Sequence, residues 1–165
     1  MGRGCAGRGS GLARPLALAL DVLTLGRAPN APETTLAQSY LTRARDAGRV
    51  LAFTGFNLIE IDERRPEKLL ELAKGNFTVA LDEQGKGITS EAFARQLARW
   101  RDAGTPKIQF LIGAADGLPA EAKTSASLTI AFGPQTWPHM LVRAMLAEQL
   151  YRAVTILTGH PYHRA

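Results

Sequence analysis

Five short apolar runs, separated by segments of helical periodicity, are the feature of this sequence that most constrains its fold. Within the runs, apolar residues are nearly continuous and do not alternate with polar ones, which is typical of strands buried on both faces. Strands that alternate with helices form a mostly parallel sheet. The sequence therefore predicts an α/β fold, with strands at residues 16–25, 56–61, 77–81, 108–112 and 128–132.

Helix signals fill the intervals between these runs. Asn30 is the expected N-cap of the first helix, ahead of a proline and a glutamate. Thr89 or Ser90 is expected to cap a helix after the third strand. Residues 84–87 hold two glycines and predict a turn directly after that strand. The last and longest helix is predicted from about residue 139 to residue 157.

The amino terminus differs in composition from the rest of the chain. Residues 1–14 carry three arginines, five glycines and no acidic residue, and so supply +3 of the net charge of +5. A segment with so few apolar residues is expected to be a disordered extension. Residues 15–165 are predicted to form a single domain, because their number is close to the usual domain size.

Charge, hydropathy and cysteine content exclude several classes of protein. The residues after position 14 carry only +2, which is low for a protein that binds nucleic acid by charge alone. No apolar run reaches 18 residues, so no transmembrane helix is expected. The single cysteine, Cys5, excludes a disulfide framework and a cysteine-based zinc site, and fits a reducing, cytoplasmic compartment.

Three loops are expected at the sheet edge where parallel strands end and ligands bind. They follow Leu81, Ile112 and Phe132, and a glycine begins the second and the third. The sequence lacks the glycine motifs of dinucleotide-binding and P-loop proteins and the nucleophile elbow of α/β-hydrolases. These loops are therefore predicted to bind a ligand by other means.

The three histidines, His139, His160 and His163, all lie near the carboxyl terminus. A zinc site would need all three, because the only carboxylate among them is Glu148, inside a helix. A metal site is therefore disfavoured. The segment 160–163 is short, contains a proline and is rich in hydrogen-bonding rings, which are groups that stack on a splayed-out base. A solvated surface tail is the alternative.

Two arginines on the last helix are predicted to point away from its apolar side. Arg152 follows Glu148 by four positions, which favours a surface ion pair. Arg143 has no acidic residue three or four positions away, so it is a candidate for a phosphate contact, with a solvent-facing position as the alternative. Trp137 stands in a proline-containing loop and fits either the core or a lid over a flat ring.

A long motif at the carboxyl terminus consists of Trp137–Arg143 (WPHMLVR), Glu148–Ala153 (EQLYRA) and Gly159–Arg164 (GHPYHR). It closely resembles the ribosomal RNA large subunit methyltransferase H family, within the SPOUT superfamily of α/β-knot methyltransferases. The resemblance extends from about Leu16 to the last residue. It implies a C-terminal trefoil knot, a homodimer, and transfer of a methyl group from S-adenosylmethionine to N3 of a pseudouridine in 23S rRNA of the ribosome.

The resemblance also implies a donor site built from the backbone of the three loops. Among the polar groups available, Arg143, Tyr162 and His163 are the candidates to bind the nucleoside and its phosphate, and His139 is expected to be mainly structural. Replacing Gly113 with a bulky residue is expected to abolish donor binding while leaving the fold intact. The implied donor-binding residues are Leu81, Gly113, Phe132, Gly133, Pro134, Gln135, Thr136 and Trp137.

Two other functions compete with an RNA methyltransferase. One is a non-catalytic, ribosome-associated RNA-binding protein that retains the knot. The other is a plain nucleotide-binding α/β domain. Binding of the donor separates the RNA methyltransferase and the RNA-binding protein from an inert scaffold. Methyl transfer then separates the methyltransferase from the RNA-binding protein.

Overall fold

The computed structural model describes residues 16–163 and contains one five-stranded, fully parallel sheet. Its strand order is β2-β1-β4-β3-β5, and the predicted α/β class is confirmed. The expected extension at residues 1–14 lies outside the described residues. The strands are β1 (Leu18–Leu25), β2 (Phe53–Ile61), β3 (Phe77–Gly87), β4 (Lys107–Ile112) and β5 (Leu128–Ala131).

Helices cover both faces of the sheet, because successive side chains of a buried strand point to opposite faces. Leu20 and Val22 of β1 pack with three helices on one face, whereas Leu23 and Leu25 pack with two shorter helices on the other. Among the described residues, no helix is long and apolar enough to cross a membrane. The helices are α1 (Pro32–Gly48), α3 (Ser90–Asp102) and α5 (His139–Thr158) on the first face, and α2 (Glu67–Ala73) and α4 (Ala120–Ser125) on the second.

Two local predictions concern helix starts, and one of them is wrong. Thr89 caps α3 as predicted, since its hydroxyl accepts a hydrogen bond from the backbone N–H of Ala92. Asn30, by contrast, lies one position too early: the N-cap of α1 is Ala31, and no side chain of the described residues caps this helix. Pro32 occupies the first helical position, where its missing N–H and fixed φ are tolerated.

The predicted turn at residues 84–87 is also wrong, because β3 continues through it to Gly87. The strand is irregular there: Ile130 of β5 pairs with both Leu81 and Lys86. A Cβ atom on Gly85 would lie 2.5 Å from the carbonyl carbon of Ile130. The glycine that resembled a turn signal therefore permits close contact between two backbones.

Candidate active site

A cavity of about 620 Å³ opens beyond the carboxyl edge of β3, β4 and β5. We call it the donor cavity, because most of the residues expected to bind a methyl donor line it. Its volume lies within the usual range for small-molecule sites. Of the eight residues expected to bind a donor, Pro134 does not line the cavity. The seven that do are Leu81, Gly113, Phe132, Gly133, Gln135, Thr136 and Trp137.

Gly113, directly after β4, allows the loop that follows to fold back against the strand end. A Cβ atom at this position would lie 2.2 Å from the carbonyl carbon of Gly117 and 2.4 Å from the backbone nitrogen of Leu118. These distances are far below a normal contact, so any side chain would displace the loop. A bulky residue is therefore expected to displace this loop, which packs against its own backbone; retention of the rest of the fold stays a prediction.

Hydrogen bonds connect the walls of the donor cavity. Lys123 of α4 forms an ion pair with Asp82 of β3, with Nζ and Oδ2 separated by 2.8 Å. This hydrogen bond to Lys123 is the main reason that the pKa of Asp82 is lowered. The Thr136 hydroxyl donates to Glu83, and the Trp137 indole N–H donates to the carbonyl of Phe132. The loop after β5 is thus joined to β3 across the opening.

The donor cavity is richer in acidic groups than the sequence indicated. Asp82, Glu83 and Asp116 line it together with one ammonium group, that of Lys123, so its lining is formally negative. No sequence motif identified these carboxylates. Trp137, whose place the sequence left open, is 40% exposed and lines the cavity instead of joining the core. Apolar walls and acidic groups together suit a ligand that has flat apolar parts and a positive charge.

His139 is the first residue of α5 and lies between the donor cavity and a second cavity at the ends of β1 and β2. Burial lowers the pKa of its imidazole, and the positive charge of Arg143 lowers it further. The nearby carboxylate of Glu63 acts in the opposite direction. The ring is therefore mainly neutral at pH 7, since its ordinary pKa is already below that value.

Arg143 is buried, which excludes the solvent-facing alternative, whereas its candidate role in binding a phosphate stays a prediction. Its relative exposure is 1%, and its Nη1 atom lies 2.7 Å from a carboxylate oxygen of Glu60 on β2. Its Nη2 atom donates to the carbonyls of Leu25 and Gly26 at the end of β1. The guanidinium thus ties α5 to two strand ends. A helical spacing rule could not reveal Glu60, which lies 83 positions away in the chain.

Tyr162 packs against the body of its own chain. Its ring centroid lies 4.6 Å from that of Tyr151 on α5, and the guanidinium of Arg43 on α1 lies 5.7 Å from its ring. Its hydroxyl donates to a carboxylate oxygen of Glu148 at 3.1 Å. Because Tyr162 also packs on the main hydrophobic core, the alternative of a solvated surface tail does not hold for this residue.

Local contacts hold two further residues, Arg152 on α5 and His163 in the segment that follows α5. The predicted Arg152–Glu148 ion pair is confirmed, with Nη2 and Oε1 2.6 Å apart. His163 Nδ1 lies 2.8 Å from the carbonyl oxygen of His160, so this ring nitrogen carries the proton. Within residues 16–163, no group of three or more histidine, cysteine or acidic side chains is placed to hold a metal ion.

Residues 18–163 match the family model described as "Predicted SPOUT methyltransferase". The chain belongs to this family. The resemblance found in the carboxyl-terminal motif is thereby confirmed. The ribosomal RNA large subunit methyltransferase H of Rhodopseudomonas palustris (strain BisB5) is 47% identical over 158 residues, which cover 88% of this chain and 99% of that relative.

Other SPOUT and related methyltransferases are similar to different degrees. The ribosomal RNA large subunit methyltransferase H of Caulobacter vibrioides (strain ATCC 19089 / CIP 103742 / CB 15) is 48% identical over 151 residues, or 88% of this chain and 97% of the relative. The crystal structure of the SpoU methyltransferase AviRb from Streptomyces viridochromogenes with AdoMet is 16% identical, covers 80% of this chain and 56% of its own, and has a TM-score of 0.43. That last similarity is too low to carry an argument.

Proposed function

We propose that this SPOUT methyltransferase transfers the methyl group of S-adenosylmethionine to N3 of a pseudouridine in 23S rRNA of the assembled ribosome. The observation that carries the proposal is the donor cavity, which seven of the eight expected donor-binding residues line. Relatives about 47% identical over most of the chain are named for methylation of large-subunit ribosomal RNA, which supports the same class of substrate.

The lining of the donor cavity fits S-adenosylmethionine chemically. Leu81, Ile112 and Phe132 offer apolar surface for the purine ring, and the glycine-containing loops leave backbone groups accessible for polar contacts. The acidic lining favours the positive sulfonium and ammonium groups of the donor. Methyl transfer removes the sulfonium charge, so the product is attracted less strongly than the donor and can leave.

The acceptor base must lose a proton before or during methyl transfer, and residues of the protein must assist this step. The N3–H of a uracil ring is a weak acid, so its proton must be lost and the developing negative charge stabilised while the donor is held in line. His139 lies at the rim of the donor cavity, and its imidazole is mainly neutral. A neutral imidazole is suited to a position beside the uracil N3–H, which loses its proton. Arg143, whose charge is balanced by Glu60, ties the start of α5 to the ends of β1 and β2. Tyr162 joins the segment that carries His163 to α5 through Glu148.

The test is a calorimetric titration of the protein with S-adenosylmethionine, followed by transfer of a radiolabelled methyl group to ribosomes that lack the modification. We expect saturable donor binding and incorporation of about one methyl group per ribosome, located at N3 of a pseudouridine by mass spectrometry. Donor binding without transfer would favour the non-catalytic RNA-binding protein. Absence of donor binding would contradict both functions.

A homodimer, a trefoil knot and a cytoplasmic location belong to the same proposal. The family resemblance implies the first two, and the ribosomal substrate implies the third. A surface that suits a second copy of the chain lies at the start of α5, where the large apolar residues Trp137 and Leu141 are each about 40% exposed. Such a patch is a common dimer contact.

We therefore expect light scattering to report about 36 kDa at micromolar concentration, twice the chain mass of 17.8 kDa. Leu141→Asp should shift this value toward the monomer, because a carboxylate in an apolar interface would be desolvated without a partner. Leu72→Asp is the matched control, since Leu72 is similarly exposed, at 45%, but lies on α2. A wild-type mass near 18 kDa would contradict the homodimer.

A further inference from the structure

A second cavity, of about 410 Å³, adjoins the donor cavity. It lies between the carboxyl ends of β1 and β2 and the start of α5, and we call it the β1–β2 cavity. His139 lines both cavities and so marks their boundary. The other residues that line the β1–β2 cavity include Gly26, Arg27, Glu63, Met140 and Arg143. A group bound here would be the immediate neighbour of a ligand in the donor cavity.

Most of the acidic charge at the β1–β2 cavity is already neutralised. Arg64 pairs with Asp62 at 2.6 Å, and this hydrogen bond holds the pKa of Asp62 well below its ordinary value. Glu60, behind the cavity, accepts hydrogen bonds from Arg143 and from the backbone N–H of Ala28. Within the part of the chain that the structure describes, the charged side chains left at the cavity are those of Arg27, which is exposed, and Glu63.

Two sets of hydrogen-bond donors at the β1–β2 cavity lack partners among the described residues. The Nε atom of Arg143 is buried and makes no hydrogen bond within residues 16–163. The 20-residue helix α5 begins at the cavity with His139 and Met140, follows Pro138, and has no side-chain cap. The first N–H groups of a helix have no intrahelical acceptor, and they carry the positive end of the helix dipole. Both observations indicate a site for an anion.

We propose that the β1–β2 cavity binds the phosphate of the target pyrimidine nucleotide, so that its base reaches past His139 toward the donor cavity. This inference rests on the proposed function and names the acceptor side of the same site. Arg27 would contact the phosphate from the solvent side, and the α5 N–H groups would contact it from the protein side. The carboxylate of Glu63 repels the phosphate. Removing the charge of Glu63 should therefore strengthen phosphate binding, whereas removing that of Arg27 should weaken it.

The direct test is a titration of ¹⁵N-labelled protein with uridine 5′-monophosphate, followed by NMR. We expect the backbone signals of Gly26, His139 and Met140 to shift with the monophosphate but much less with uridine, which lacks the anion. Arg27→Gln should weaken binding about 1.4- to 5-fold, the range for one exposed charge pair, and Glu63→Gln should strengthen it by a similar factor. Arg65→Gln is the control, because Arg65 is exposed on the same connection but does not line the cavity.

The second test uses ribosomes at saturating S-adenosylmethionine. Arg27→Gln should raise the ribosome concentration for half-maximal methylation while leaving donor affinity and the maximal rate near those of Arg65→Gln. Absence of monophosphate shifts at these three amides, or equal behaviour of the two variants in both tests, would overturn the inference. If the wild-type protein binds the monophosphate here but does not methylate ribosomes, the proposed function fails and the anion site stands.

Discussion

Gly113→Val is expected to abolish measurable binding of S-adenosylmethionine while the protein remains folded but less stable. The valine Cβ cannot coexist with the backbone of Gly117 and Leu118 at 2.2–2.4 Å, so the loop from β4 to α4 must move. That loop forms one wall of the donor cavity. Losing two hydrogen bonds of roughly 1 kcal/mol each would already weaken binding about 30-fold, and a displaced wall also blocks part of the cavity.

Calorimetric titration measures donor affinity, and urea unfolding measures the free energy of unfolding of the same samples. Gly87→Ala is the matched control, because Gly87 has an ordinary φ and no atom within 4 Å of the added Cβ. It should bind the donor like the wild type. Wild-type affinity in Gly113→Val would show that the loop after β4 is not part of the donor site.

The sheet and the position of the donor cavity could be predicted from the sequence because both depend on local patterns. Continuous apolar runs identify strands that are buried on both faces, and in a parallel sheet their carboxyl ends share one edge. Leu81, Gly113 and Phe132 were therefore expected near one another before any contact was known. The extension of β3 was missed because Gly85 is a residue type typical of turns. In the structure Gly85 instead lies against the backbone of Ile130, 45 positions along the chain.

The side-chain environment of the site could not be predicted, because it depends on contacts between distant segments. Arg143 lacks a local acidic partner but finds Glu60 on β2 and two carbonyls at the end of β1. Its burial, and with it the β1–β2 cavity, follows from how α5 lies against strand ends. Nor did the sequence indicate that the ring and hydroxyl of Tyr162 contact α1 and α5.

The contacts of Tyr162 suggest that it anchors the carboxyl-terminal segment instead of stacking on a base. Burial raises the pKa of its phenol above the ordinary value, and the hydrogen bond with Tyr40 adds to this shift. The hydroxyl therefore stays protonated and can donate to Glu148, which also accepts from Arg152. One carboxylate thus contacts both α5 and the segment that follows it.

Tyr162→Ala is therefore expected to lower both stability and methyl transfer. Loss of the packing on Tyr151 and of the nearby Arg43 and Arg152 guanidinium groups should lower the free energy of unfolding by about 1–3 kcal/mol. Release of the segment should lower the rate of single-turnover ribosome methylation about 100-fold, the scale of a misplaced positioning group. Donor affinity should be unchanged, because Tyr162 does not line the donor cavity.

Tyr162→Phe separates anchoring from base stacking, because it keeps the ring and removes only the hydroxyl. If Tyr162 anchors the segment through Glu148, the phenylalanine variant should lose part of the activity and about 0.5–1.5 kcal/mol of stability, and Glu148→Gln should lose activity as well. Tyr40→Phe is the control, since its hydroxyl shares just a weak hydrogen bond of 3.5 Å with Tyr162 and, among the described residues, makes none with Glu148. Full activity in Tyr162→Phe, together with wild-type stability in Tyr162→Ala, would instead assign the ring to direct contact with RNA.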